Sequence, residues 1–226
     1  MTDLHDDPTH YPTPWARHAD LIVHIVSLSL ALFGGGVALG LAVSHGLLGK
    51  VAAITIYALG MIAMLSFSTA YNFAKPRWQP FLRRLDHAGI FLMIAASYTP
   101  FTTQALTGGW ALWMSVSVWS LAVCGILARL LLPGHISHSG WGKAFWLALY
   151  LVLGWLVLIA IRPMIREVPM PALILLALGG VAYSVGTIFY AMKRLKFRRA
   201  IWHGHVLTGA SLHYVAVLVG VVLAVK

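Results

Sequence analysis

Asp20 and His24 stand four residues apart in this sequence, Ser68 and Asn72 stand four apart, and Asp86 is followed directly by His87. Residues four apart share one face of a helix. His203 and His205 open a further apolar run, and His213 lies ten residues beyond His203, about 15 Å deeper at 1.5 Å per residue. Imidazole, carboxylate, amide and hydroxyl groups at such spacings can hold a metal ion, or can orient a general base toward water. Each also has a plainer use. Ser68 can bond back to a carbonyl of its own helix. Asn72 can cap a helix end, Asp86 can pair with Arg83 or Arg84, and His87 and His205 can face lipid headgroups. Single histidines such as His24 and His213 can hydrogen-bond between helices, with Tyr183 or Ser184 as partners for His213. A mid-span histidine can also relay protons.

An apolar scaffold must carry these groups. Of 226 residues, 60% are hydrophobic and 10% charged, and the mean hydropathy is +0.83. That is the composition of an all-α integral membrane protein. Apolar runs at 21–44, 51–71, 87–105, 110–132, 143–161, 170–191 and 201–225 predict a seven-transmembrane helix bundle over 20–226. Each run is near the ~20 residues that cross ~30 Å of hydrocarbon. Turn residues separate them: His45-Gly46, Lys75-Pro76, Gly108-Gly109, Pro133-Gly134, Pro163 and Pro169. Residues 1–19 form a polar tail with Pro8, Pro12 and Pro14. The tail is acidic (Asp3, Asp6, Asp7) and lacks the basic stretch of a removable signal, so the first span is expected to direct insertion.

The net charge of +10 sits in short loops, where it sets topology rather than binding nucleic acid. With the N-terminus inside, twelve Lys and Arg fall inside and four outside. The expectation is a multi-pass protein of a bacterial inner membrane, N-terminus cytoplasmic and C-terminus outside, with the lipid bilayer as its surroundings. The one cysteine, Cys124, falls in a span, so no disulfide forms within the chain. This topology carries the polar ends of helices 1, 2, 3 and 7 to one cytoplasmic layer. An acid such as Asp86 in the first turn of a membrane helix is costly unless paired or used. Bis-histidine haem would need two facing histidines at equal depth, and His24, His87 and His203 offer this only at a helix end. No lysine lies in the seventh span to form a retinal Schiff base.

Several motifs stand together along the chain: Ser68-Thr69-Ala70-Tyr71-Asn72, Arg83-Arg84-Leu85-Asp86-His87, Tyr98-Thr99-Pro100, Gly179-Gly180-Val181-Ala182-Tyr183, Trp202-His203 with the later His213, and Asp20-Leu21-Ile22-Val23-His24. With these the chain resembles the bacterial hemolysin III family, related to the progestin and adipoQ receptor family. The resemblance implies a seven-helix bundle with a zinc ion near the cytoplasmic face, held by three histidines, with the serine and aspartate of the second motif nearby. Such a site resembles a metal-dependent amide hydrolase, and receptor relatives are linked to ceramide hydrolysis. Zinc with three protein ligands lowers the pKa of its bound water to about 7. Ser68 and Asp86 then take the catalytic positions.

The sequence departs from the pattern where the metal would bind. Asn72 replaces the histidine that ends helix 2, Arg199 replaces the first histidine of helix 7, and His203 alone is retained. An amide is a poor zinc ligand and a guanidinium is none. A fixed cation also repels a divalent ion at low dielectric. The expectation is a metal-free polar network of Ser68, Asn72, Asp86, Arg199 and His203, with the guanidinium in the place of the cation and paired with Asp86. Its role would lie in membrane homeostasis, in sensing (a lipid ligand included) or in ion balance. The competing expectation is a ceramidase-like lipid-amide hydrolase, with zinc on a rearranged set of His203, His24 and Asp86. Without metal, His203 and Asp86 would act as base and orienter.

Overall fold

The computed structural model describes residues 11–44, 48–132 and 140–224, the side chain of Lys143 excepted. Helices follow one another as α1 (Pro14–Ser44), α2 (Leu48–Phe73), α3 (Gln79–Pro100), α4 (Gly108–Leu131), α5 (Gly140–Gly154), α6 (Ile161–Glu167), α7 (Met170–Ala191) and α8 (Arg198–Val217). Both α3 and α8 run on through one wider π turn, at Phe101–Ala105 and Leu218–Val222. A 3-10 segment, Leu156–Ala160, joins α5 to α6. Helices satisfy every interior peptide group locally, which is what a chain this apolar needs in lipid.

Among the described residues, six stretches are long and apolar enough to cross a membrane: Pro14–Ser44, Leu48–Phe73, Gly108–Leu131, Ala144–Glu167, Met170–Ala191 and Arg198–Val222. The third expected span, α3, is helical as well. It carries Arg83, Arg84, Asp86 and His87 near its start and Ser97, Tyr98 and Thr99 near its end, and these lower its hydropathy. It nevertheless packs between α2 and α4, burying Phe91, Met93, Ala95 and Ala96.

The observed ends differ from the expected ones. Helix α1 begins at Pro14, ahead of the boundary placed at 20. The fifth run does not stop at 161. It continues to Glu167, and Pro163 is buried in the first turn of α6, where a missing N–H costs nothing. Gly108 turns the chain from α3 into α4 at φ +59°, a conformation that glycine adopts without steric cost. The His45-Gly46 and Pro133-Gly134 linkers lie outside the described residues.

Helix α1 sits between α2 and α8, α8 packs on α7, and α5 touches α3, α4 and α7, which closes the bundle. Small residues permit the close approaches. A Cβ on Gly60 of α2 would lie 2.4 Å from Ala96 Cβ of α3, and one on Gly125 would lie 2.6 Å from the Phe91 ring. Gly60→Ala is therefore expected to force α2 and α3 apart and cost about 1–3 kcal/mol. Gly36→Ala, whose Cβ meets nothing within 4 Å, is expected to be near neutral. Thermal unfolding in detergent checks the pair, and equal melting temperatures would contradict this packing.

Helix α5 cannot continue its own ladder through the 3-10 segment. Tyr98 of α3 supplies what is missing: its hydroxyl donates to the carbonyls of Gly154 (2.9 Å) and Leu153 (3.2 Å) and accepts from the Val157 amide (2.8 Å).

Candidate polar site at the N-terminal end of the bundle

Four helices deliver polar side chains to the end of the bundle where α1 and α8 begin. Helix α1 brings Asp20 and His24, the end of α2 brings Ser68 and Asn72, the first half of α3 brings Asp86, and the first turns of α8 bring Arg199 and His203. The four-residue spacing puts each pair on one helix face, and the packing of α1 between α2 and α8 turns those faces together. Asp20 is 0% exposed and His24 and Asn72 are 3% exposed.

A chain of hydrogen bonds runs through them. Arg199 Nη1 donates to Asn72 Oδ1 at 2.7 Å. Asn72 Nδ2 donates to the Ser68 carbonyl at 2.9 Å and reaches Ser68 Oγ at 3.4 Å. Ser68 Oγ faces His203 Nε2 at 3.5 Å, and His203 Nδ1 donates to Asp20 Oδ1 at 2.6 Å. His24 Nδ1 donates to the Asp20 carbonyl at 3.0 Å, with its ring edge-on to His203 at 4.3 Å. A guanidinium stands at one end of the chain and the Asp20 carboxylate at the other, with amide, hydroxyl and imidazole groups between. Such a chain polarises cumulatively where water is excluded. Asp86 lies within hydrogen-bonding reach of Ser68. Among the described residues, the carboxylate joined to His203 is that of Asp20, and Arg199 is bonded to Asn72.

Tyr11 completes the arrangement, and the sequence reading did not single it out. Its hydroxyl donates to Asp20 Oδ2, its ring stacks on Phe73 at 6.0 Å, and the Arg199 guanidinium lies 5.5 Å from the ring centre. Burial first, and the Asp20 carboxylate second, push the Tyr11 phenol above its ordinary range and keep it a donor. A tyrosine just ahead of Pro12 and Pro14 was the available signal, but a polar tail gives no periodicity from which to place it.

The other candidates lie apart from this chain of bonds. The His87 carbonyl accepts from Tyr150, whose oxygen also accepts from Arg129 Nε, and Arg129 sits 4.0 Å from the Trp146 ring centre. His205 Nδ1 donates back to the Ile201 carbonyl at 2.8 Å, within its own helix. His213 donates to the Leu176 carbonyl at 3.2 Å and packs edge-on to Tyr183. Gly179 makes room for it, since a Cβ there would lie 2.3 Å from the imidazole. Ser184 instead accepts from Trp155.

Asp20, His24 and His203 also bring one donor atom each to within 4.8 Å of one another, so they are a possible metal-binding group.

Known proteins resemble this chain over nearly its whole length. Residues 18–214 match the family described as Haemolysin-III related. The chain is 36% identical to Hemolysin-3 of Bacillus cereus over 177 residues, 77% of each protein. It is 33% identical over 204 residues to the Hemolysin-3 homolog of Bacillus subtilis (strain 168), covering 88% of this chain and 92% of that relative. It is 29% identical over 171 residues to the human Monocyte to macrophage differentiation factor, covering 72% of this chain and 67% of that protein. The match spans α1 to α8 and takes in the motifs that build the polar site: the chain belongs to the haemolysin III-related family.

Proposed function

We propose that this chain is an inner-membrane protein crossing seven times, N-terminus cytoplasmic, whose polar site works without the zinc that the family resemblance implies and serves sensing or ion and proton balance. The twelve-to-four bias of basic residues supports the orientation. The observation that carries the metal-free reading is the 2.7 Å bond from Arg199 to Asn72. These are the two positions where the family pattern has histidines, and here they are bonded to each other. Amide, guanidinium and imidazole do not make a zinc donor set, and the guanidinium supplies the positive charge that an ion would.

In this reading Asp20 fixes the His203 tautomer with the proton on Nδ1, leaving Nε2 to accept one from the Ser68 side. That is the arrangement of an oriented base. Asn72 and Ser68 connect it to a charge that cannot titrate.

Metal analysis of detergent-purified, dialysed protein tests this. Wild type and His203→Ala are both expected to hold far less than one zinc per chain. Zinc near one per chain, lost in His203→Ala, would overturn the metal-free reading. It would favour a second one, which rests on the clustering of Asp20, His24 and His203: a hydrolase for lipid amides with a relocated ion. Turnover of a short-chain ceramide would then be the assay.

A further inference from the structure

Tyr11 belongs to no helix, yet its hydroxyl reaches the buried carboxylate of the site. The slot around it has three distinct walls. The Asp20 carboxylate accepts from its hydroxyl, Phe73 lies parallel to its ring within 17°, and Arg199 sits 5.5 Å from its face. An acceptor at the base, a flat apolar wall and a cation over the ring select a flat aromatic group that carries a hydrogen-bond donor. A carboxylate or phosphate would meet Asp20 as a like charge. An aliphatic alcohol would gain neither the stacking nor the cation–π contact.

We propose that this slot is a ligand site for phenol-type molecules and that Tyr11 is its tethered, displaceable occupant. The inference deepens the metal-free reading and rests on it, because the Arg199 wall is the guanidinium that bonds Asn72. Zinc content tests that reading separately.

The test uses the full chain in detergent. Carbethoxylation of His203 by diethyl pyrocarbonate is followed by peptide mass spectrometry in wild type, Tyr11→Ala and Tyr11→Phe. His203 shares the Asp20 carboxylate with Tyr11, so Tyr11→Ala is expected to raise the His203 rate about tenfold, the scale of one lost hydrogen bond with its packing. Added 4-methylphenol, the free tyrosine side chain, is expected to restore protection, and toluene is not. An unchanged His203 rate overturns the stopper, and equal protection by the two additives overturns the donor-selective slot.

His213 serves as the internal control. If it also becomes reactive, Tyr11→Ala has unfolded, and Tyr11→Phe carries the test because it keeps the ring and loses the donor. A faster His203 rate with His213 still protected supports the proposal, and an unchanged one overturns it. In the wild type, 4-methylphenol is expected to speed amide exchange at residue 11. No change there overturns displacement.

Discussion

Changing Asn72 and Arg199 together to histidine is expected to yield a protein that purifies with about one zinc per chain, three imidazoles and a water being a standard zinc environment. The two positions are already in contact through their side chains, with Arg199 Nη1 2.7 Å from Asn72 Oδ1. His203 follows Arg199 by one helical turn and faces Ser68 beside them. Neither single change should suffice. Asn72→His leaves the guanidinium to repel the ion, and Arg199→His leaves an amide as the third ligand. The double variant should also gain thermal stability with added zinc, by about 2.7 kcal/mol at a hundred times its dissociation constant, while the wild type gains none. A folded double variant without zinc would mean that the metal-free state has a cause other than these two residues.

Asp20→Ala is expected to be the most damaging single change in the site. Asp20 is 0% exposed and is the acceptor for His203 and Tyr11. Removing it takes the carboxylate acceptor from both of these donors. Breaking a buried charge-assisted pair costs about 3–5 kcal/mol, and Asp20→Asn should cost less because the amide oxygen can still accept. Unfolding in detergent with increasing denaturant measures the difference. A double-mutant cycle with His203→Ala should show strong coupling, since the two residues share one bond. A loss under about 0.5 kcal/mol would place Asp20 among ordinary surface substitutions and remove it from the site.

Much of this was legible in one dimension. The helices could be read because hydrocarbon leaves so few alternatives: long apolar runs mark them almost without ambiguity. The run 51–71 falls within α2, Leu48–Phe73, and the run 170–191 coincides with α7, Met170–Ala191. The fifth was harder, because Pro163 reads as a stop and in fact lies within the first turn of α6. In the site, the four-residue spacings of Asp20 with His24 and of Ser68 with Asn72 put each pair on one helix face. Which acid meets which base depends on how α1, α3 and α8 rotate about their axes. Sequence patterns constrain that rotation weakly when a helix is apolar all round. Hence Asp86 looked like the natural partner of Arg199, whose charge does act on it, but the Arg199 bond to Asn72 and the Asp20 bond to His203 were not read in advance. Tyr11 was hidden for a different reason. Its position comes from side-chain contacts, and nothing in a proline-bearing tail encodes them locally.

The hydroxyl of Tyr98 bears on how the chain is made. The 3-10 segment after Gly154 leaves peptide groups that α5 cannot satisfy, and Tyr98 takes up the Gly154 and Leu153 carbonyls and the Val157 amide. Alone, that stretch would enter lipid with exposed backbone dipoles, at several kcal/mol for each unsatisfied group. Synthesis runs from the N-terminus, so α3 has left the ribosome before residue 154 is added. The later segment thus arrives with its missing partner already waiting, and its insertion is a step of assembly rather than an independent partition into the bilayer.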